Sequence, residues 1–136
     1  MTYLKHILLV DDDEDDRNFF LLVLEMIDKS VKCDTAENGL IALRQLTSGS
    51  SVPDLILLDL NMPVMNGRQF LGEIKKHEHM KNIPVIILST SSDEATIIET
   101  KLLGAADFIT KPNKLSLLEE TLREIISNPM YKPGNA

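Results

Sequence analysis

The chain holds a single cysteine, only fourteen basic residues against twenty-one acidic ones, and no apolar run long enough to cross a membrane. A lone Cys33 excludes a disulfide framework or a thiolate metal centre built within the chain. Its place in an expected strand reads as a small buried hydrophobe rather than a reactive thiol. The net charge of −7 and a pI near 4.9 leave no basic face to replace counterions on nucleic acid or to settle on an anionic membrane. Neither is expected as a partner; on charge alone the expected ligand is a cation. The opening Met1-Thr-Tyr-Leu-Lys-His6 lacks the basic and apolar regions of a signal peptide, so the expectation is a cytoplasmic protein.

What is present is globular: 136 residues, 43% hydrophobic and 26% charged, with no fixed-period repeat and no linker, which predicts one domain with a real core. Apolar runs at His6 to Val10, Leu55 to Leu58 and Pro84 to Leu88 read as strands, as do Val31 to Ala36, mixed in polarity and so expected nearer an edge, and a short segment at Asp107 to Thr110. Between them apolar residues recur at helical spacing: Phe19, Phe20, Leu22, Val23, Met26 and Ile27; then Leu40, Ala42, Leu43 and Leu46; then Phe70, Leu71 and Ile74. A fourth helix runs from Asp93 to Leu103 and stops at Gly104, and a fifth covers Leu115 to Ile126. Five strands alternating with five helices predict an α/β fold, a parallel sheet with helices on both faces. Residues 128–136 are polar and turn-rich, an expected flexible tail.

The strand at Leu55 to Leu58 has no polar alternation, as expected for a strand buried on both faces, and Asp59 is the first polar side chain to emerge from it. Pro63 and Asn66-Gly67 then turn the chain into the next helix. A lone aspartate there is also compatible with a turn or helix cap. Three other strand ends bear on the choice: Asp11-Asp12 closes the first strand, Ser89 the fourth and Lys111-Pro112 the fifth. In a parallel sheet these ends share one edge, where ligands of such sheets bind. Converging carboxylates repel one another, and so favour a divalent cation or partial protonation. An oxygen-rich site of this kind suits Mg²⁺. With a hydroxyl and a lysine beside it, the set matches phosphoryl transfer to a carboxylate: a nucleophile, a metal and donors for the phosphoryl oxygens. Blander readings exist for the neighbours. Asp13 to Asp16 form an acidic first helical turn, with Asp13 as its lead-in, and Ser91 or Ser92 reads as the N-cap of the fourth helix.

Four segments carry a family resemblance: Ile7-Leu-Leu-Val-Asp11-Asp12; Asp54-Leu-Ile-Leu-Leu-Asp59-Leu-Asn-Met-Pro63 with Asn66-Gly67; Pro84-Val-Ile-Ile-Leu-Ser89-Thr90; and Gly104-Ala-Ala-Asp-Phe108-Ile-Thr-Lys111-Pro112. The sequence resembles the receiver domain of bacterial two-component response regulators over residues 5–127. The resemblance implies a flavodoxin-like, doubly wound five-stranded sheet of order 2-1-3-4-5 in a three-layer αβα arrangement. It implies Asp59 as phosphoacceptor, Asp12 as a direct Mg²⁺ ligand beside Asp59, Asp11 as a ligand acting through water, and Asn61 as a ligand through its backbone carbonyl. Ser89 and Lys111 would meet the phosphoryl oxygens, and Ser89 with Phe108 would form the switch. The implied partners are a sensor histidine kinase or histidine phosphotransfer protein and an unidentified downstream protein, with the chain a monomer or a phosphorylation-dependent dimer and not a multiple-turnover enzyme.

The sequence departs from the commonest pattern at three positions: Ser89 stands where threonine is usual, Phe108 lacks a tyrosine hydroxyl, and Thr90 is larger than the residue often found there. The segments His77 to Asn82 and Ser89 to Asp93 are similar to a single-domain subgroup that includes partners of phytochrome-type kinases. Two other functions remain open at this point. A metal-dependent phosphohydrolase would want a second carboxylate where Asn61 stands, and a phosphorylation-independent interaction module would need none of the strand-end residues.

Overall fold

The computed structural model describes residues 3–49 and 52–131. Its elements in chain order are β1 (His6–Val10), α1 (Glu14–Ile27), β2 (Lys32–Ala36), α2 (Gly39–Ser48), β3 (Leu55–Leu58), α3 (Gly67–Ile74), β4 (Val85–Ser89), α4 (Glu94–Leu102), β5 (Asp107–Thr110) and α5 (Leu115–Ser127), with a last 3₁₀ turn at Pro129–Tyr131. The strands form one parallel sheet in the order β2-β1-β3-β4-β5, the flavodoxin-like arrangement expected from the sequence.

Each central strand is apolar on both sides because each side is covered. Ile7 and Leu9 of β1, Leu55 and Leu57 of β3, and Ile86 and Leu88 of β4 join a core made with Phe20, Val23 and Leu24 of α1 and Leu118, Leu122, Ile125 and Ile126 of α5. Their alternate neighbours Leu8, Val10, Ile56, Leu58, Val85 and Ile87 join a second core with Ala42 of α2 and Phe70, Leu71 and Ile74 of α3. Full burial of such a side chain stabilises by about 1.5–3 kcal/mol. The two-residue period of the strands therefore divides the interior into two layers and closes the αβα sandwich.

Local chemistry sets the helix starts. The Asp13, Asn38, Asn66 and Asp93 side chains accept from the backbone N–H of Asp16, Ile41, Gln69 and Thr96, and Gln69 returns a bond to Asn66 in a capping box. Asp93, rather than Ser91 or Ser92, thus caps α4, and the Ser91 hydroxyl instead donates to the Asp93 carboxylate at 3.0 Å. A carboxylate offers two acceptor oxygens at once, and Asp93 uses both, since Thr96 donates to it from its N–H and its hydroxyl. The first residues of the expected tail fall within the described set, with Pro129–Tyr131 in a 3₁₀ turn. Tyr131 is buried in the core that α5 helps to form; residues 132–136 lie outside the described set. Cys33 is only partly buried, but burial and the nearby Asp34 push its thiol up to about 12, which keeps it protonated and inert.

Candidate functional site

Parallel pairing continues one residue beyond three of the strands, and those residues carry the chemistry. The Asp11 N–H donates to the Ala36 carbonyl at 3.0 Å, the Asp59 N–H to Val10 at 2.9 Å, and the Lys111 N–H to Ser89 at 2.8 Å. The last rungs of the ladder thus fix three side chains at one edge of the sheet. Behind Asp59 the chain doubles back so closely that a Cβ on Gly67 would lie 2.3 Å from the Asp59 carbonyl oxygen, so only glycine fits there. The Gly67 N–H closes this turn on the Leu60 carbonyl at 3.0 Å.

The side chains of Asp11, Asp12 and Asp59 each bring a carboxylate oxygen within 4.8 Å of the others; Asp11 and Asp59 are buried and Asp12 is exposed. The Lys111 ammonium lies 2.8 Å from Asp11 Oδ2, 3.0 Å from Asp16 Oδ2 and 3.6 Å from Asp59 Oδ2. Burial dominates at Asp59: despite Lys111 and the Asn61 N–H at 3.4 Å, it and the Asp11 and Asp12 charges push the carboxyl up to about 6. At Lys111 burial opposes the charge, but the hydrogen-bonded Asp11 and Asp16 carboxylates outweigh it and hold the ammonium above the usual lysine range. Asp11 is itself anchored, with its carboxylate accepting from the Asp13 N–H at 3.0 Å and its carbonyl from Arg17 Nη1 at 2.8 Å.

Ser89 is buried at 1% exposure, and its Oγ accepts from the Ser91 N–H at 3.2 Å. Phe108 is partly buried against the second core and lines a cavity of about 110 Å³ between α4 and β5 with Ile97, Thr100, Lys101 and Ala105. Thr90 is exposed.

Asp11, Asp12, Asp59 and Lys111 are therefore brought together, with Ser89 closing the neighbouring strand and Asn61 touching Asp59 through its N–H. Asp16 is the member that the sequence reading left in an acidic helical turn. Nothing in the sequence set it apart from its neighbouring aspartates; it lies in the first turn of α1, its N–H bonded to the Asp13 side chain, and the fold turns it to Lys111. The three hard carboxylate donors suit Mg²⁺ on their own chemistry, since they are oxygen-only and the exposed Asp12 leaves one side open to water and substrate.

The sequence profile of the response regulator receiver domain matches residues 7–123. The chain is 35% identical over 128 residues to the response regulator Rcp1 of Synechocystis sp., covering 90% of this chain and 87% of Rcp1. It is 39% identical over 127 residues to a protein-glutamate methylesterase/protein-glutamine glutaminase of Treponema denticola, but that match covers 88% of this chain and only 33% of the methylesterase. Among solved structures, the phosphorylated cyanobacterial phytochrome response regulator RcpA superposes with a TM-score of 0.82 at 34% identity, covering 92% of this chain and 95% of RcpA. The Mn²⁺-bound form of Rcp1 superposes with a TM-score of 0.82 at 31% identity, covering 91% of this chain and 96% of that one.

Proposed function

The chain belongs to the response regulator receiver family, and from that membership we propose that it accepts a phosphoryl group on Asp59 from a phosphohistidine of a kinase or phosphotransfer protein. The observation that carries this reading is the convergence on Asp59 of the Asp11 and Asp12 carboxylates and the Lys111 ammonium. A carboxyl held at about 6 is mostly ionised at pH 7, yet its burial leaves it poorly solvated, which favours it as a nucleophile. An Asp59 oxygen bonds to phosphorus as the phosphorus–nitrogen bond breaks, and the nitrogen electron pair returns to the imidazole. Lys111 and the Ser89 hydroxyl donate to the phosphoryl oxygens. Asp11, Asp12, Asp59 and the Asn61 carbonyl would hold Mg²⁺, which supplies charge neutralisation for the same oxygens. That the relative Rcp1 has a Mn²⁺-bound form supports a divalent cation as a ligand of this chain.

The product is a single stoichiometric adduct rather than a turnover reaction. The adduct favours one arrangement of Ser89 and Phe108 over another, and a downstream protein reads the difference as a population shift. The likeness to Rcp1 and RcpA supports a phytochrome-type kinase as the donor. No described helix is long and apolar enough to cross a membrane. Incubation with acetyl phosphate and Mg²⁺ should add one phosphoryl group by intact mass, absent in Asp59→Asn and suppressed by a chelator. No adduct on the folded wild-type protein would remove Asp59 as phosphoacceptor.

A further inference from the structure

Lys111 is committed to two carboxylates before any phosphoryl group arrives. Its ammonium is within hydrogen-bond distance of Asp11 and Asp16, at 2.8 and 3.0 Å, while Asp59 lies beyond it at 3.6 Å. Asp11 belongs to the buried carboxylate cluster, but Asp16 does not: it sits on α1, its side chain is half exposed, and its oxygens are not among those gathered for a cation. Its position is nevertheless fixed. The Asp16 N–H is held by the Asp13 cap at 3.1 Å, and the adjacent Arg17 is turned to the Asp11 carbonyl at 2.8 Å. The Lys111 side chain is 16% exposed, and the pocket around the pair includes Leu9, Phe20, Leu88 and Leu118. Those apolar walls lower the local dielectric and make the pair stronger than a fully solvated one.

We propose that Asp16 is a positioning residue that holds the Lys111 ammonium on the α1 side of the site and competes with a phosphoryl group on Asp59 for it. This rests on the phosphoacceptor reading above and adds a control on how firmly the site grips its phosphoryl group. An ammonium has three donors and here faces three carboxylates. Asp11 and Asp16 hold the ammonium at hydrogen-bond distance while Asp59 stands off at 3.6 Å, so a phosphoryl oxygen on Asp59 gains a well-formed bond from Lys111 as the ammonium shifts away from Asp16, or shares it on poorer geometry. Removing the Asp16 charge frees the ammonium for the phosphoryl oxygen, so phosphoryl binding tightens. A partly exposed ion pair sets the size of the effect at about threefold to fivefold.

The test uses beryllofluoride, a non-covalent stand-in for the phosphoryl group, titrated with Mg²⁺ into wild type, Asp16→Asn and Asp15→Asn. Asp15 lies exposed on the same helical turn, so its neutralisation removes the same formal charge without touching Lys111. Asp16→Asn is expected to bind beryllofluoride about threefold to fivefold more tightly than wild type, Asp15→Asn to stay near wild type, and the Asp16 effect to shrink at high salt because the carboxylate is half exposed. Equal tightening in both variants would reduce Asp16 to one of many negative charges, and no tightening in Asp16→Asn would remove it from the site; either overturns the proposal. Failure of the wild type to bind beryllofluoride at all, or undiminished binding by Asp59→Asn, would instead overturn the phosphoacceptor reading itself.

Discussion

Asp59 carries a destabilising charge. Its carboxyl stands at about 6 in the folded protein against 3.8 when unperturbed, so between those values the folded state binds more protons than the unfolded one. Stability therefore falls as pH rises from about 4 through 6 and levels off above, the reverse of an ion-paired aspartate. A pKa unit corresponds to about 1.4 kcal/mol; with solvent screening at the mouth of the site, about 1–2 kcal/mol remains. Asp59→Asn, of nearly the same shape, should thus be about 1–2 kcal/mol more stable than wild type above pH 7 in metal-free buffer, with the gap narrowing below about pH 6 and closing only as pH falls below about 4. Urea denaturation in chelator across that range measures it, and a gap that does not change with pH would contradict the assignment. Asp59 was legible in the sequence because a wholly apolar strand ends in it. Asp16 was not, because in a run from Asp11 to Asp16 every carboxylate has an equally good reading as a solvated helical start, and only the folded chain selects the one facing Lys111.

Among the elements, the β3–α3 turn is the most constrained and α4 the least. The turn presses Gly67 against the Asp59 backbone, and it also places Val64 at φ 69, a left-handed conformation that β-branched residues rarely adopt. The Val64 side chain is exposed, so no packing offsets this strain. Val64→Gly relieves it, though glycine also loosens the unfolded chain, and the balance should stabilise the protein by about 1 kcal/mol in chemical denaturation with the site unchanged. A destabilised variant would mean that Val64 is held by something other than the turn. On α4 only Thr100 is buried, its hydroxyl bonding back to the Thr96 and Ile97 carbonyls, while Ile98 and Leu102 face outward. An exposed Arg68–Glu99 ion pair ties it to α3. The position of this helix was legible from Gly104, which takes φ 108 just past its end, but its start was not. Four cap-forming residues in succession, Ser89 excluded, precede Glu94, and sequence spacing does not rank Thr90, Ser91, Ser92 and Asp93.

At the scale of the whole molecule, topology and site come from the same feature, which is why so much of both could be read in advance. Apolar runs at Leu55 to Leu58 and Val85 to Leu88 require cover on both faces, alternation with helices makes the sheet parallel, and a parallel sheet gathers its strand ends on one edge. The seating of Tyr131 had no such signal, being a single aromatic in a polar stretch whose burial depends on the surface of α5. The gathered edge has an energetic consequence for the entire fold. Three carboxylates within 4.8 Å, in a chain of net charge −7 and with the single Lys111 ammonium beside them, keep an excess of negative charge that opposes folding until a divalent cation joins them. Because the unfolded chain does not assemble those oxygens, a cation bound to the native edge stabilises the whole domain by mass action. At ten times its dissociation constant Mg²⁺ adds about 1.4 kcal/mol, or about 4–6 °C in Tm for a chain of this size. Sodium chloride of matched ionic strength screens the net charge but does not fill the site, so it should give a smaller rise. Asp12→Ala separates the two effects, since Asp12 is exposed and its loss leaves the core intact: its Tm should follow ionic strength alone. An equal Mg²⁺ response in that variant would make the stabilisation a general charge effect and take Asp12 out of the metal site.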